Sequence, residues 1–252
     1  SRGECEFVEE VAAELPLLAI LELCGIPPED RKDFFEWTNK MMFNQDPEMA
    51  ASEEVAQEAS FKVIEYAMKL MEQHKANPKK DIIGALIEGN GKDDGLSDDE
   101  FVWFFLMLIA AGNESTRTVT TQGMRMLMEN PDQLQYLVDN PDKIPGACEE
   151  MLRYNTAFTL MRRTCMEDTE VGGYQIKKGD KIIMHYHTVN HDCLGTHLAR
   201  LEMRVMFEEI IPRMRNPKLV GEVAYTRSNL VNGIKRMHIT FDPETETSEQ
   251  AA

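Results

Sequence analysis

Ser97-Asp98-Asp99-Glu100-Phe101-Val102-Trp103-Phe104-Phe105-Leu106-Met107-Leu108-Ile109-Ala110-Ala111-Gly112-Asn113-Glu114-Ser115-Thr116 is the stretch that decides the fold. Ser97 with Glu100 three residues on reads as a capping box, and acids at 98–100 suit the positive end of a helix dipole, so a helix begins here. Every residue from 101 to 111 is apolar, which predicts burial nearly all round, as in the central helix of a large α-rich domain. The run is too short to cross a bilayer. The helical pattern continues to about residue 129. At 111–116 it changes character, placing an acid and two hydroxyls in a segment otherwise built for burial. Polar groups there cost free energy unless they are used. A kinked helix with solvated side chains is the competing reading.

A second segment, Cys193-Leu194-Gly195-Thr196-His197-Leu198-Ala199-Arg200-Leu201-Glu202, sets a cysteine directly before a helix-forming run. Unpaired N–H groups and the dipole at a helix N-terminus lower a thiol's pKa, and the thiolate is the good metal ligand. Gly195 permits close approach to a flat group, Ala199 keeps the helix slim, and Arg200 and Glu202 can anchor it. A buried inert cysteine beside a capped helix is the alternative. A third segment, Glu150-Met151-Leu152-Arg153, lies in the helical stretch 141–154, where residues three apart share a face and the two charges can pair. Between the second and third segments, residues 161–165, 170–176 with a Gly172-Gly173 turn, and 181–186 read as short strands.

Taken in chain order, the acid-alcohol segment, Glu150-x-x-Arg153, the short strands and the cysteine segment resemble the cytochrome P450 family, and the fold implied is mainly α with a small β component around a long central helix. By that resemblance Cys193 is the axial thiolate of haem b (iron protoporphyrin IX) and the metal ligand. Ala111 and Gly195 flank the macrocycle, and Arg163 and His191 hold its propionates. Glu114 and Ser115 relay protons to dioxygen. Serine in the usual threonine's place keeps the hydroxyl but loses the methyl that helps fix its rotamer. Glu150 and Arg153 stabilise the fold. Residues 10–24 match the helix before the substrate lid, and 30–43 and 52–74 match the lid helices, with Phe61, Ile64, Met68 and Met71 at helical spacing. Asn113, residues 44–48 and the strand-like 232–241 resemble the soluble bacterial members that oxidise sterols and terpenoid-like lipids. The activity implied is insertion of one oxygen atom from O2 into a small apolar substrate, with electrons from a ferredoxin-type or other redox partner. Arg200, Arg204, Arg213 and Arg215, on the helix after the cysteine, mark a docking face for such a partner.

Two departures qualify the match. Against the family pattern the chain reads as N-terminally truncated, without the first sheet and the helix that grips the propionates. An internal deletion before Cys193 removes the Phe-x-x-Gly loop beneath the haem. Without that loop the sulfur should be more exposed and more easily oxidised. An inactive remnant without haem, acting at most as a binding module, is therefore the alternative function. A lesser alternative is a zinc site from His185, His187, His191, Cys193 and His197, a ligand set zinc accepts.

With 252 residues, 42% hydrophobic and 28% charged, the composition is that of a globular domain, expected to span 1–242 with an acidic disordered tail at 243–252. The net charge of −17 argues against nucleic acid and anionic membrane surfaces. Five widely spaced cysteines fit a reducing cytoplasmic setting, and neither a signal peptide nor a membrane anchor is visible.

Overall fold

The computed structural model describes residues 2–89, 95–186 and 195–243. Its helices are α1 (Glu14–Leu23), α2 (Arg31–Met42), α3 (Glu53–Ala76), α4 (Ile82–Glu88), α5 (Asp98–Glu129), α6 (Pro131–Asp139), α7 (Ile144–Tyr154) and α8 (Thr196–Arg213). Its strands are β1 (Glu4–Glu6), β2 (Leu160–Thr164), β3 (Thr169–Val171), β4 (Tyr174–Ile176), β5 (Lys181–His185), β6 (Met214–Leu219), β7 (Ala224–Tyr225), β8 (Ile234–Arg236) and β9 (His238–Pro243). This is the expected class, largely helical with small sheets. Of the tail expected from 243, Pro243 closes β9 and the rest lies outside the described residues.

The central helix is α5. Its capping box forms as read: the Ser97 side chain accepts from the Glu100 N–H, and the Glu100 carboxylate accepts from the Ser97 N–H at 3.0 Å. The N-terminal half packs Phe101, Phe105 and Ile109 against Leu17 and Ile20 of α1, Phe34 of α2, Val63 and Ala67 of α3, and Ile83 of α4. The C-terminal half meets α6, α7 and α8 through Val119 and Leu127, with Met151, Met203 and Phe207 in the same cluster. Met124 joins the cluster under the terminal sheet. Each fully buried Phe or Leu here contributes about 1.5–3 kcal/mol.

One expectation for α5 fails. Residues 101–111 are not buried all round, because Trp103 is 62% and Met107 52% exposed and Ala111 is exposed as well. Apolar character states a preference for burial, and a neighbour must be present to satisfy it.

The sheets are antiparallel. β1, β9 and β6 form one of three strands, with Glu4 opposite Thr240. β2 pairs with β5, setting Arg163 opposite Ile182. Gly172 and Gly173 take φ of 58° and 83° in the β3–β4 turn, a conformation side chains resist. Residues 10–24 resolve into a π-type turn at Val8–Ala12 followed by α1, and the 141–154 stretch opens with a short 3-10 turn before α7. No helix among the described residues is long and apolar enough to cross a membrane.

Candidate functional site

Along one side of α5, Trp103, Met107 and Ala111 follow one another at four-residue spacing, and Ser115 comes next, half-buried. This open stripe is apolar until it reaches the motif. There the side chains divide. Ser115 Oγ donates to the Ala111 carbonyl at 2.8 Å, a bond back to its own helix. Glu114 is only 3% exposed and takes different partners: Arg117 donates to its Oε2, and the Thr118 hydroxyl donates to its Oε1 at 2.8 Å. The acid and the alcohol are neighbours in sequence but share no hydrogen bond. The reading of a kink with solvated side chains does not hold for Glu114. Burial pushes its carboxyl above the usual range, against the pull of Arg117 and Thr118.

Arg117 is a residue the sequence reading missed, although an acid and a base three apart in a buried helix is a legible signal. Its Nη1 donates to Asn39 Oδ1 at 2.8 Å, and its guanidinium lies 5.6 Å from the ring centroids of both Phe35 and Phe43. Beside it, the Asn113 amide donates to Thr38 Oγ1 at 3.4 Å. Asn113 and Arg117 of α5 are therefore met by one face of α2 and the residue that follows it.

On the other side of α5, Glu202 of α8 is 4% exposed. Neither carboxylate oxygen finds a hydrogen bond of good geometry among the described residues, and burial pushes the carboxyl up to about 7, opposed weakly by Thr116. The expected pair of anchors for this helix is thus corrected. Arg200 does anchor it, donating to Glu149 of α7 at 2.6 and 3.0 Å, but Glu202 does not.

Of the other candidates, Gly195 precedes the first turn of α8, and an added Cβ there would meet nothing within 4 Å among the described residues. Arg163 is exposed on β2. Cys193 and His191 lie outside the described residues, as does His187 of the zinc alternative; His185 ends β5 and His197 is exposed on α8. Burial pushes the thiols of Cys24 and Cys148 up to about 12 and that of Cys5 to about 11, so these three are protonated at neutral pH. Glu150 and Arg153 pair as read, with two bonds of 2.7 and 2.6 Å on an exposed face. The basic face is weaker than its residue types imply. Arg215 belongs to β6 rather than the helix, Arg204 lies 3.5 Å from Glu208, and Arg213 pairs with Glu209. Phe61 and Met68 of the lid spacing face solvent, Ile64 is half-buried, and Met71 is buried.

The family model for cytochrome P450 matches residues 31–192, ending one residue short of Cys193. The chain is 36% identical to a steroid C26-monooxygenase of Mycolicibacterium smegmatis, covering 100% of this chain and 65% of the relative. That alignment runs over 282 positions against 252 residues here, so the relative carries residues within the matched span that have no counterpart. It is 31% identical to a linalool 8-monooxygenase of Pseudomonas putida, over 96% of this chain and 66% of the relative. A Mycobacterium marinum cytochrome P450 solved in complex with pseudoionone superposes with a TM-score of 0.86 at 28% identity, covering 95% of this chain and 66% of that one. The chain spans just under two thirds of these proteins. A matched family model over more than half its length, the order of its motifs and the central α5 lead to one conclusion: the chain belongs to the cytochrome P450 family.

Proposed function

We propose that this chain provides the central helix and thiolate segment of a haem-thiolate monooxygenase that oxidises an apolar, steroid- or terpenoid-like substrate. The observation that carries this reading is the open side of α5, an apolar stripe that ends at small Ala111 beside Ser115, with the buried acid Glu114 next along the helix. The described residues fit a flat apolar cofactor there: Ala111 adds no bulk to the exposed face, and a Cβ on Gly195 would meet none of the described residues. Haem b held by a thiolate would supply the oxygen-activating chemistry. Cys193 would hold it, at a helix start that favours the thiolate, and Arg163 and His191 would take its propionates. Trp103 and Met107 would line the apolar side and exclude water. Ser115 would pass a proton by releasing its bond to the Ala111 carbonyl, and Glu114 would resupply it. The relatives named for steroid and linalool oxidation support this substrate class, and external electrons would come from a ferredoxin-type partner.

A second reading, a haem-free remnant that keeps its helix packing, draws on the positions of the steroid-oxidising relative that have no counterpart here and on Glu114 and Ser115 bonding to different partners. One spectrum separates the two. After haem supplementation and reduction, carbon monoxide should move the Soret band far to the red in the wild-type chain and not in Cys193→Ser. A wild-type protein that stays colourless establishes the remnant instead.

A further inference from the structure

Arg117 stands outside the motif that the family resemblance supplied, yet it is one of the most enclosed charges in the chain, with a side chain 4% exposed against 3% for Glu114. A guanidinium cannot shed its proton, so burying it requires partners for charge and hydrogens alike. Its Nη2 donates to Glu114 on its own helix and its Nη1 to Asn39 of α2 at 2.8 Å, with the guanidinium over the rings of Phe35 and Phe43, while its Nε meets no acceptor among the described residues. The fork that holds the acid is thus itself held by a neighbouring helix. The Glu114 carboxylate therefore engages a group fixed to α2, while the Ser115 hydroxyl rests on the Ala111 carbonyl beside the exposed stripe.

We propose that Arg117 is a positioning residue that ties the Glu114 carboxylate to α2, so that Glu114 reaches the open side of α5 only when α2 releases the guanidinium. The proposal rests on Glu114 handling protons in the reaction proposed above. Ion pairing within α5 alone would need neither Asn39 nor the two rings.

Infrared titration of the whole chain tests it, following the carboxyl band that disappears in Glu114→Gln. Arg117→Met should raise the midpoint of that band by about one to three pH units, since an adjacent cation lowers a carboxyl pKa by that much. Arg117→Lys, which keeps the charge but not the fork, should restore part of the shift. Asn39→Asp, whose carboxylate competes for the same guanidinium from α2, should raise the midpoint too; it and Arg117→Lys carry the test if Arg117→Met does not fold. An unmoved midpoint in Arg117→Met or Arg117→Lys overturns the hold on Glu114, and an unmoved midpoint in Asn39→Asp overturns the tie to α2. The carbon monoxide spectrum, taken on the same samples, judges the oxygenase reading separately.

Discussion

Glu114 and Glu202 are both almost wholly out of water, and only Glu114 has a cation beside it. The consequence for stability follows from the sign of the shift. The Glu202 carboxyl moves from the usual 4.5 up to about 7 on folding, so between those values the folded chain holds more proton than the unfolded one. Its contribution is intact below 4.5 and is lost as pH rises through 7. Glu202→Gln, a neutral isostere, should match the wild type near pH 4.5 and exceed it by roughly 3 kcal/mol at pH 8. Urea unfolding at both pH values measures this, and an identical gap at the two would refute it. The arginine next to Glu114 was visible in the sequence as a neighbour three residues on. The sparse surroundings of Glu202 were not, because its motif position implied an anchor and only the packing of α8 on α5 shows that it reaches no charged partner among the described residues.

At the level of elements, α5 owes its place to small residues at crossings. A Cβ on Gly123 would fall 2.6 Å from Met151 Sδ and 2.9 Å from Phe207 Cζ, where α5 meets α7 and α8. Gly146 of α7 has nothing within 4 Å of the same position. Helix propensity favours alanine by about 1 kcal/mol at either site, and overpacking costs about 1–3 kcal/mol where the space is filled. Gly146→Ala should therefore stabilise by up to about 1 kcal/mol and Gly123→Ala should destabilise by a similar or larger amount. Thermal denaturation of the two variants checks the pair, and equal signs would refute the crossing argument. The long helix, its capping box, α7 and the paired short strands at 160–185 were legible from periodicity and turn residues, and α2 and α3 from the family resemblance. The short α4 and α6 were passed over, although Asp81 caps the first and Pro131 opens the second, because seven and nine residues give too little periodicity to stand out.

Across the whole molecule, distant parts of the chain are joined by Asp46, in the connector after α2. Its carboxylate accepts from the N–H of Arg227 at 2.9 Å, from Lys235 Nζ at 3.0 Å and from the N–H of Glu48 at 3.0 Å, while Glu48 pairs with Lys235 at 3.0 Å and Arg236 at 2.7 Å. Burial pushes the Asp46 carboxyl up, but these donors together hold it below the usual carboxylate range. That linkage is present above the unfolded value of 3.8 and is lost as pH falls through the lower folded value. Asp46→Ala would leave Lys235 with Glu48 as its remaining acid and the Arg227 N–H without its acceptor, and should cost about 1–3 kcal/mol. Hydrogen exchange should then rise in residues 224–236 first, and uniform exchange across the chain would count against a local strap.

The amino-acid order alone determined the family likeness, the helix-rich class and the positions of the acid, the alcohol and the cysteine, because local periodicity, caps and motif spacing are properties of neighbouring residues. Which side of each helix is covered is a different kind of fact. In α5 the apolar half carries the open stripe, and the hydroxyl-rich half, with Thr116, Thr118, Thr120 and Thr121, is the buried one. Only the tertiary structure decided that reversal, together with the tie from Glu114 through Arg117 to α2. Burial depends on which elements pack against a face, and buried hydroxyls are tolerated where bonds such as Thr118 to Glu114 and Thr121 to the Arg117 carbonyl satisfy them.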